Sequence, residues 1–545
     1  MTASRIDAAS PEKYGKQDWV SKLAEQVIQE RKGDKKIVVA SGISPSGQIH
    51  LGNLREVITG HFIADEISSR GFDCEHILSW DDFDRLRKVP ANIDKGYEQY
   101  IGMPLCDVPP PAGSKKNSWS EHFRGDFEKT MEILGIKVRH ISQSQMYRSG
   151  AYTHNILLAL EKRHEIQNII GKYQSKKTQP AESPREYYPY VVYCTRCKKD
   201  LTQIEDFAGS ELSYSCKCGH SETIGIGEFN NGKLPWKVDW PMRWMYESVD
   251  FEPGGVDHCS PGSASLSASS DIANQIFNWT PPLTVMYSFV GVQGHAKMSS
   301  STGNVLTPND ALSVMEPTLL RWMYARRKPN QSFTVGFDQS LQRLYDEWDS
   351  LPNDLTGCEL ASSYTRAMST TNKRFNAPEI LISFRTLVSL IDISASDDSQ
   401  LLRMVKNLRP DIRSLAQLEP RLSCARIYSK KFSNPIHVLQ TPNKQVLHTA
   451  APNVREMLRI FIDGLDKNWS IEKLTTLAYG VPKVVLGIDQ SSKDVSQEVK
   501  NLQKEFFRTI YQLVIGQDKG PRLPTLLMAI GKQSTRALLC SCETC

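Results

Sequence analysis

Lys36-Ile37-Val38-Val39-Ala40, then Pro45-Ser46-Gly47-Gln48-Ile49-His50-Leu51-Gly52-Asn53, then Leu54-Arg55-Glu56-Val57-Ile58 form one continuous stretch near the start of the chain. The β-branched run reads as a buried strand, and the apolar spacing after Asn53 opens a helix. A strand-to-helix turn at the edge of a parallel sheet aims unpaired N–H groups and the positive end of a helix outward, which suits an anion. Gly47 and Gly52 would let a purine or phosphate approach the backbone closely, and His50 adds a side-chain donor.

Moving outward, Trp19 to Arg31 reads as an amphipathic helix entering the first strand, and a long helix runs to about Arg70. A second strand, Glu75 to Trp80, ends in Asp81-Asp82-Phe83-Asp84. Strand, helix and strand at this spacing make a right-handed βαβ unit, so the expected fold class is α/β, opening as a doubly wound parallel sheet. Far downstream lies Lys297-Met298-Ser299-Ser300-Ser301, which sets one ammonium beside three hydroxyls on a loop that Gly303 and Pro308 keep irregular. That donor set suits a triphosphate. The two segments, 247 residues apart from His50 to Lys297, read as a nucleotide site split between distant pieces of chain.

At 545 residues the chain is too long for one core, and three or four domains are expected. No apolar run approaches the ~18 residues of a membrane span, and residues 1–18 lack the apolar centre of a secretory signal. A cytoplasmic protein is expected. Its net charge of +5 is uneven: residues 401–545 hold 22 Lys and Arg against 12 Asp and Glu, a surplus of 10, which leaves −5 for the rest. The basic part reads as a polyanion-binding surface.

Cys194-x-x-Cys197 and Cys216-x-Cys218-Gly219-His220 place two sulfur pairs about 20 residues apart. A hairpin between them could bring both pairs to one structural zinc ion, with Cys218 and His220 competing for the fourth position. The tail Cys540-x-Cys542-x-x-Cys545 reads as incidental. Residues 95–120, with Pro104, Pro109, Pro110, Pro111 and Gly113, read as a linker, followed by helices over Trp119–Leu134 and Tyr152–Tyr173. A strand is expected over Thr284–Val290, and helices almost throughout after 350.

The two nucleotide segments resemble the His-Ile-Gly-His and Lys-Met-Ser-Lys-Ser signatures of class I aminoacyl-tRNA synthetases, with Asn53 and Ser300 at the two variable positions. Both variants resemble those of the class I lysyl-tRNA synthetases, as do Ser41 to Gly47, Asn53 to Glu56, Trp80 to Asp84, Met146 to Gly150, Gly232 to Pro241, Lys297 to Pro308 and Asp346 to Asp349. The likeness runs from about 19 to 536. It implies attachment of lysine to tRNA(Lys) through an adenylate, with ATP as substrate, Mg²⁺ accompanying the ATP, and a monomer.

It also implies a layout: an N-terminal extension over 1–18, catalytic Rossmann halves over 19–95 and 231–296, and a connective insertion over 96–230 with the zinc module at about 185–230. A signature-loop and stem-contact region over 297–350 and an all-α anticodon-binding domain over 351–545 complete it. His50, Asn53 and Lys297 are the expected stabilisers of the phosphoryl transition state. ATP would contact Pro45, Ser46, Gly47, His50, Gly52, Asn53, Lys297, Met298, Ser299, Ser300 and Ser301.

A lysine substrate needs a carboxylate for its ammonium and an apolar sleeve for its stem. Glu56 is the first candidate for the charge partner, then Asp81, Asp82 or Asp84. The resemblance adds Gly42, Ser44, Trp236, His258 and Tyr287, with Trp236 and Tyr287 as a stem wall of cation–π character and Ser44 or His258 bonding the α-groups. Val256 stands where relatives carry Lys, and Cys259 to Ser263 replaces a Gly-Gly-Ser stretch, which opens the alternative of another amino acid. A non-tRNA acceptor and a catalytically silent tRNA-binding regulator are the remaining alternatives.

Overall fold

The computed structural model describes residues 18–30, 35–173, 186–259, 264–292, 298, 305–351, 358–376, 378, 381–394, 397–433, 436–490, 492 and 496–540. The chain divides into two compact units. The first comprises Met1–Leu312, Pro317–Gly336 and Leu351–Phe375; the second comprises Ser313–Glu316, Phe337–Ser350 and Asn376–Cys545.

In the first unit, helix α1 (Trp19–Glu30) precedes strand β1 (Ile37–Ile43), helix α2 (Leu51–Ser69) and strand β2 (Cys74–Trp80). Ile37, Val38, Val39 and Ala40 are all buried, as a central strand covered on both faces requires. β1 pairs in parallel with β2 from Ile37 opposite Cys74 to Ile43 opposite Trp80. β2 pairs in parallel with β3 (Arg139–Ser142), Ile77 lying opposite Arg139.

On the other side of β1, Phe251 bridges in parallel to both Val39 and Leu283, and Gly254–Gly255 pairs in parallel with Met286–Tyr287. The spatial order is therefore third, second, first, fourth and fifth, and the connections reverse direction between β1 and the Phe251 segment. Ligands of open α/β sheets bind at such a switch point, beyond the carboxyl ends of the strands. Ile43, Glu252 and Tyr287 lie at that end.

Three expected elements differ. The proline-rich stretch 95–120 is a small packed core: Leu86, Leu105, Val108, Trp119 and Phe123 bury one another, and the Tyr97 hydroxyl donates to the Pro110 carbonyl at 2.6 Å. Aromatic residues at its margins supply the apolar surface that its prolines obscure. The helix expected over 152–173 is two, Thr153–Glu161 and Arg163–Lys172, divided at Lys162. In place of one strand over 284–290 there are Met286–Tyr287 and Val290–Val292, which pair with different neighbours.

The regular structure described in the second unit is all helical, from Gln339–Ser350 through Gln497–Ile515 to Lys532–Leu539. Prolines punctuate it: Pro420 precedes the helix Arg421–Phe432 and Pro452 opens Pro452–Gly464. Buried Arg421 pairs with Glu316 and Asp349. No helix among the described residues is long and apolar enough to cross a membrane.

Candidate active site and metal centre

His50 is the N-cap of α2. Its Nδ1 accepts from the Gly52 N–H at 3.0 Å, and its own N–H donates to Asn53 Oδ1 at 3.1 Å. This is a capping box. An Nδ1 that accepts a hydrogen bond carries no proton, so Nε2 is the ring's donor. The closure also explains Gly52. A Cβ there would lie 2.8 Å from the His50 ring, so the glycine makes room for the histidine. Asn53 has the side chain that a capping box needs at its third position, and its amide nitrogen remains a donor.

One turn further, the Glu56 carboxylate accepts from the Gly42 N–H at 2.6 Å and from the Tyr287 hydroxyl at 2.6 Å. β1, α2 and the fifth strand segment thus meet at one carboxylate. Burial pushes its carboxyl up to about 8; the Tyr287 and Gly42 bonds oppose that push, and Glu252 and Asp81 add to it.

Between the sheet and the helix Trp236–Glu247 lies a cleft lined by Gly42, Asp81, Trp236, Trp240, Arg243 and Glu252 among others. Trp236 stacks on Trp240 at 4.9 Å, and the His258 ring tilts against Trp236 at 5.7 Å. The Trp236 Nε1 is buried and has no hydrogen-bond partner among the described residues. Asp81 lines the cleft but is ion-paired with Arg243 at 2.7 Å. Asp82 is elsewhere: it accepts from the Ser144 N–H at 2.8 Å and the Ser142 hydroxyl at 2.6 Å, bracing the helix Gln143–Arg148. Asp84 pairs with Lys233.

Ser44, the first residue after β1, is half-buried; Pro45 and Gly47 are buried and Ser46 is exposed. Met298 is buried, with its sulfur 3.4 Å from the Leu306 N–H. Lys297, Ser299, Ser300 and Ser301 lie outside the described residues.

The structure adds residues that were not singled out in the sequence. Glu252 is buried and accepts from the Trp240 and Trp244 indoles; burial, with a contribution from Asp81, raises its carboxyl above the usual range. Arg243 bridges Asp81 and Asp239. Their signal is the i, i+4 stripe Trp236, Trp240, Trp244, with Asp239 and Arg243 at the same spacing. Among the described residues, Glu56, Asp81, Asp84, Asp239 and Glu252 share this region with Lys233 and Arg243, and a cationic ligand would relieve the crowding of carboxyl groups.

Cys259 ends the short helix Val256–Cys259. A Cβ on Gly254 would overlap the Cys259 sulfur at 2.0 Å, and burial, with Glu252 and Glu56 adding, raises the thiol to about 12. The sulfur fills the space over Gly254 as a neutral, apolar group.

In the cysteine module the strands Thr202–Ala208, Glu211–Cys216 and Ser221–Gly225 form an antiparallel sheet. The sulfurs of Cys194, Cys197, Cys216 and Cys218 all lie within 4.8 Å of one another. Two of the separations are 3.8 Å (Cys194 to Cys218) and 3.6 Å (Cys197 to Cys216). Four sulfurs on a tetrahedral ion with ~2.3 Å bonds would lie about 3.8 Å apart, so the cage fits a metal of zinc's size. His220 is turned to Thr195 and Glu222, at 2.9 and 3.3 Å. Among the described residues the clustered ligand atoms are thus the four sulfurs, Cys218 included, with His220 outside them.

A turn at the switch point with an enclosed carboxyl group below it is a place for a ligand. Residues 17–374 match the family model for class I (K) tRNA synthetases. The chain is 44% identical to the lysine–tRNA ligase of Streptomyces coelicolor, covering 96% of this chain and 98% of that one. It is 33% identical to that of Pyrococcus horikoshii, over 94% and 97%, and 31% identical to that of Treponema pallidum, over 96% and 98%. The chain belongs to the class I lysyl-tRNA synthetase family.

Proposed function

We infer that the chain attaches lysine to tRNA at the expense of ATP: ATP + L-lysine + tRNA → lysyl-tRNA + AMP + pyrophosphate. The observation that carries this reading within the family is Glu56, a carboxyl group enclosed one turn below the signature turn, in a region crowded with other carboxyl groups.

The lysine carboxylate attacks the α-phosphorus of ATP, the bond to the bridging oxygen breaks, and pyrophosphate leaves. A ribose hydroxyl of tRNA then attacks the acyl carbon and AMP departs. The first step needs no protein nucleophile, because the carboxylate already is one. Catalysis there is placement and charge stabilisation. His50 Nε2, the Asn53 amide and Lys297 are assigned to the phosphoryl oxygens, and Pro45 to Gly47, Gly52 and Met298 to Ser301 to the nucleotide, with Mg²⁺ accompanying the phosphates. Glu56 takes the lysine ammonium, and Tyr287 and Trp236 wall its stem. Gly42 lines the pocket beside Glu56, and Ser44 or His258 bonds the α-groups of the lysine. Asp81 contributes to the field of the cleft from within its ion pair.

The helical second unit is assigned to the anticodon of tRNA(Lys), in keeping with the charge surplus of residues 401–545. The four cysteines are assigned to one structural Zn²⁺ as a Cys₄ site. A monomer in the cytoplasm completes the reading.

ATP–pyrophosphate exchange across all amino acids, with and without tRNA, tests it. Lysine alone is expected to give strong exchange; a flat response to lysine would overturn the assignment. For the metal, Cys218→Ser is expected to lower bound zinc per chain in elemental analysis and to loosen the module toward protease. His220→Ala is expected to retain the metal, and the opposite pattern would move the fourth ligand to His220.

A further inference from the structure

Arg55 sits beside Glu56 in the first turns of α2 and is only 2% exposed. Among the described residues its guanidinium faces no carboxylate. It donates instead to three backbone carbonyls: Ser288 at 2.9 Å, Lys328 at 3.0 Å and Gln331 at 2.7 Å. It also lies 5.1 Å from the centre of the Phe333 ring. A buried cation without a counter-ion is costly, and an apolar residue of similar size would fill the space with less penalty. What an apolar residue lacks is a rigid fork able to hold two segments at once.

Those segments carry the site. Ser288 follows Tyr287, whose hydroxyl holds Glu56, so adjacent residues of α2 grip adjacent residues of the fifth strand segment. The Lys328–Gln331 turn leads into Phe333–Val335, which pairs in parallel with Val290–Val292. Ser288 is tied to the same turn, its N–H donating to Pro329 and its hydroxyl to Asn330. Val292 thus marks one flank of the stretch that bears Lys297. At the other flank, the Leu306 carbonyl accepts from the Leu51 N–H at 3.0 Å.

We propose that Arg55 is a positioning residue: its fork registers the Tyr287 segment, and the entry to the Lys297 stretch, on the first turns of α2, so that Glu56 keeps its hydroxyl partner. The inference rests on the assignment of Glu56 to the lysine ammonium. Lysine in place of Arg55 retains the charge but supplies one rotatable ammonium, which cannot satisfy three separated carbonyls.

The test is the pH profile of kcat/KM for lysine in tRNA-supported exchange, with thermal unfolding in parallel. Loss of the Tyr287 bond removes an influence that holds the Glu56 carboxyl down, so in Arg55→Lys the inflection is expected to move upward by about one pH unit. KM for lysine and for ATP are both expected to rise. In a Tyr287→Phe background, Arg55→Lys should produce no further shift. If Arg55→Lys fails to fold, Arg55→Gln, which buries no charge and whose single amide cannot span the three carbonyls, should move the inflection in the same direction.

An inflection that stays in place while the melting temperature falls, or additive shifts in the double variant, would overturn the positioning role. Absence of any inflection near 8 in the unaltered enzyme would instead overturn the Glu56 assignment.

Discussion

Glu56→Gln is expected to lower kcat/KM for lysine by roughly 30-fold to several thousandfold, the range for removing one partner of an enclosed, hydrogen-bonded charge pair at about 2–5 kcal/mol. The amide is close in size to the carboxylate: its one oxygen can keep the Gly42 N–H bond while its NH₂ donates to the Tyr287 hydroxyl oxygen, so the change removes the charge with little change of shape. KM for ATP should move little. Asp82→Ala is the control: Asp82 braces the helix Gln143–Arg148, so its loss should cost stability and leave the lysine requirement unchanged. If Glu56→Gln left that requirement unchanged, the charge partner would pass to Asp81.

The same carboxylate sets a pH dependence whose sign follows from its raised value. In the free site its carboxyl sits at about 8, and only the ionised form attracts an ammonium. Below about 8, lysine must displace a proton to bind, so kcat/KM should rise roughly tenfold per pH unit up to about 8 and then level. The rise should vanish in Glu56→Gln. A profile that fell across this range would contradict the assignment.

His50→Ala is expected to slow adenylate formation by about 10²- to 10³-fold, or about 2.7–4 kcal/mol, as for the loss of one preorganised donor to a developing oxyanion. The histidine also caps α2, and loss of a cap costs about 0.5–2 kcal/mol of stability. His50→Asn separates the two roles, since asparagine is a strong N-cap but cannot place a donor where Nε2 lies. Single-turnover formation of the adenylate should stay slow in His50→Asn while its melting temperature recovers. Recovery of both would reduce His50 to a capping residue.

The sequence made parts of this site legible because their signals are local. A β-branched run, a Gly-containing turn and an apolar-periodic helix are consecutive, so β1, the turn and α2 could be read from residues 36–58 alone. Glu56 could be named because a helix places it one turn below Asn53. The cysteine pairs were equally plain, since their spacing lies within one hairpin.

Other residues could not be read in this way. Asp81 and Asp82 are neighbours with the same chemistry, yet a strand end turns one into the cleft beside Arg243 and the other toward the N–H of Ser144. Gly52 reads as room for a phosphate, and the structure shows it is needed by the His50 ring. His220 has a ligand's chemistry, but the hairpin aims it at Thr195 and Glu222.

By itself, then, the sequence determined the α/β class, the βαβ opening, the two signature segments, the family and the four-cysteine module. These depend on periodicity, spacing and residue type over short lengths of chain. Only the tertiary structure decided that Gly42, Glu56 and Tyr287 share one hydrogen-bonded point, that Glu252 and Arg243 border the cleft, and that Arg55 ties Ser288 to the turn at 328–331. Each of those contacts joins residues on separate segments of the chain. Their distances follow from sheet order and helix packing, which no local pattern encodes.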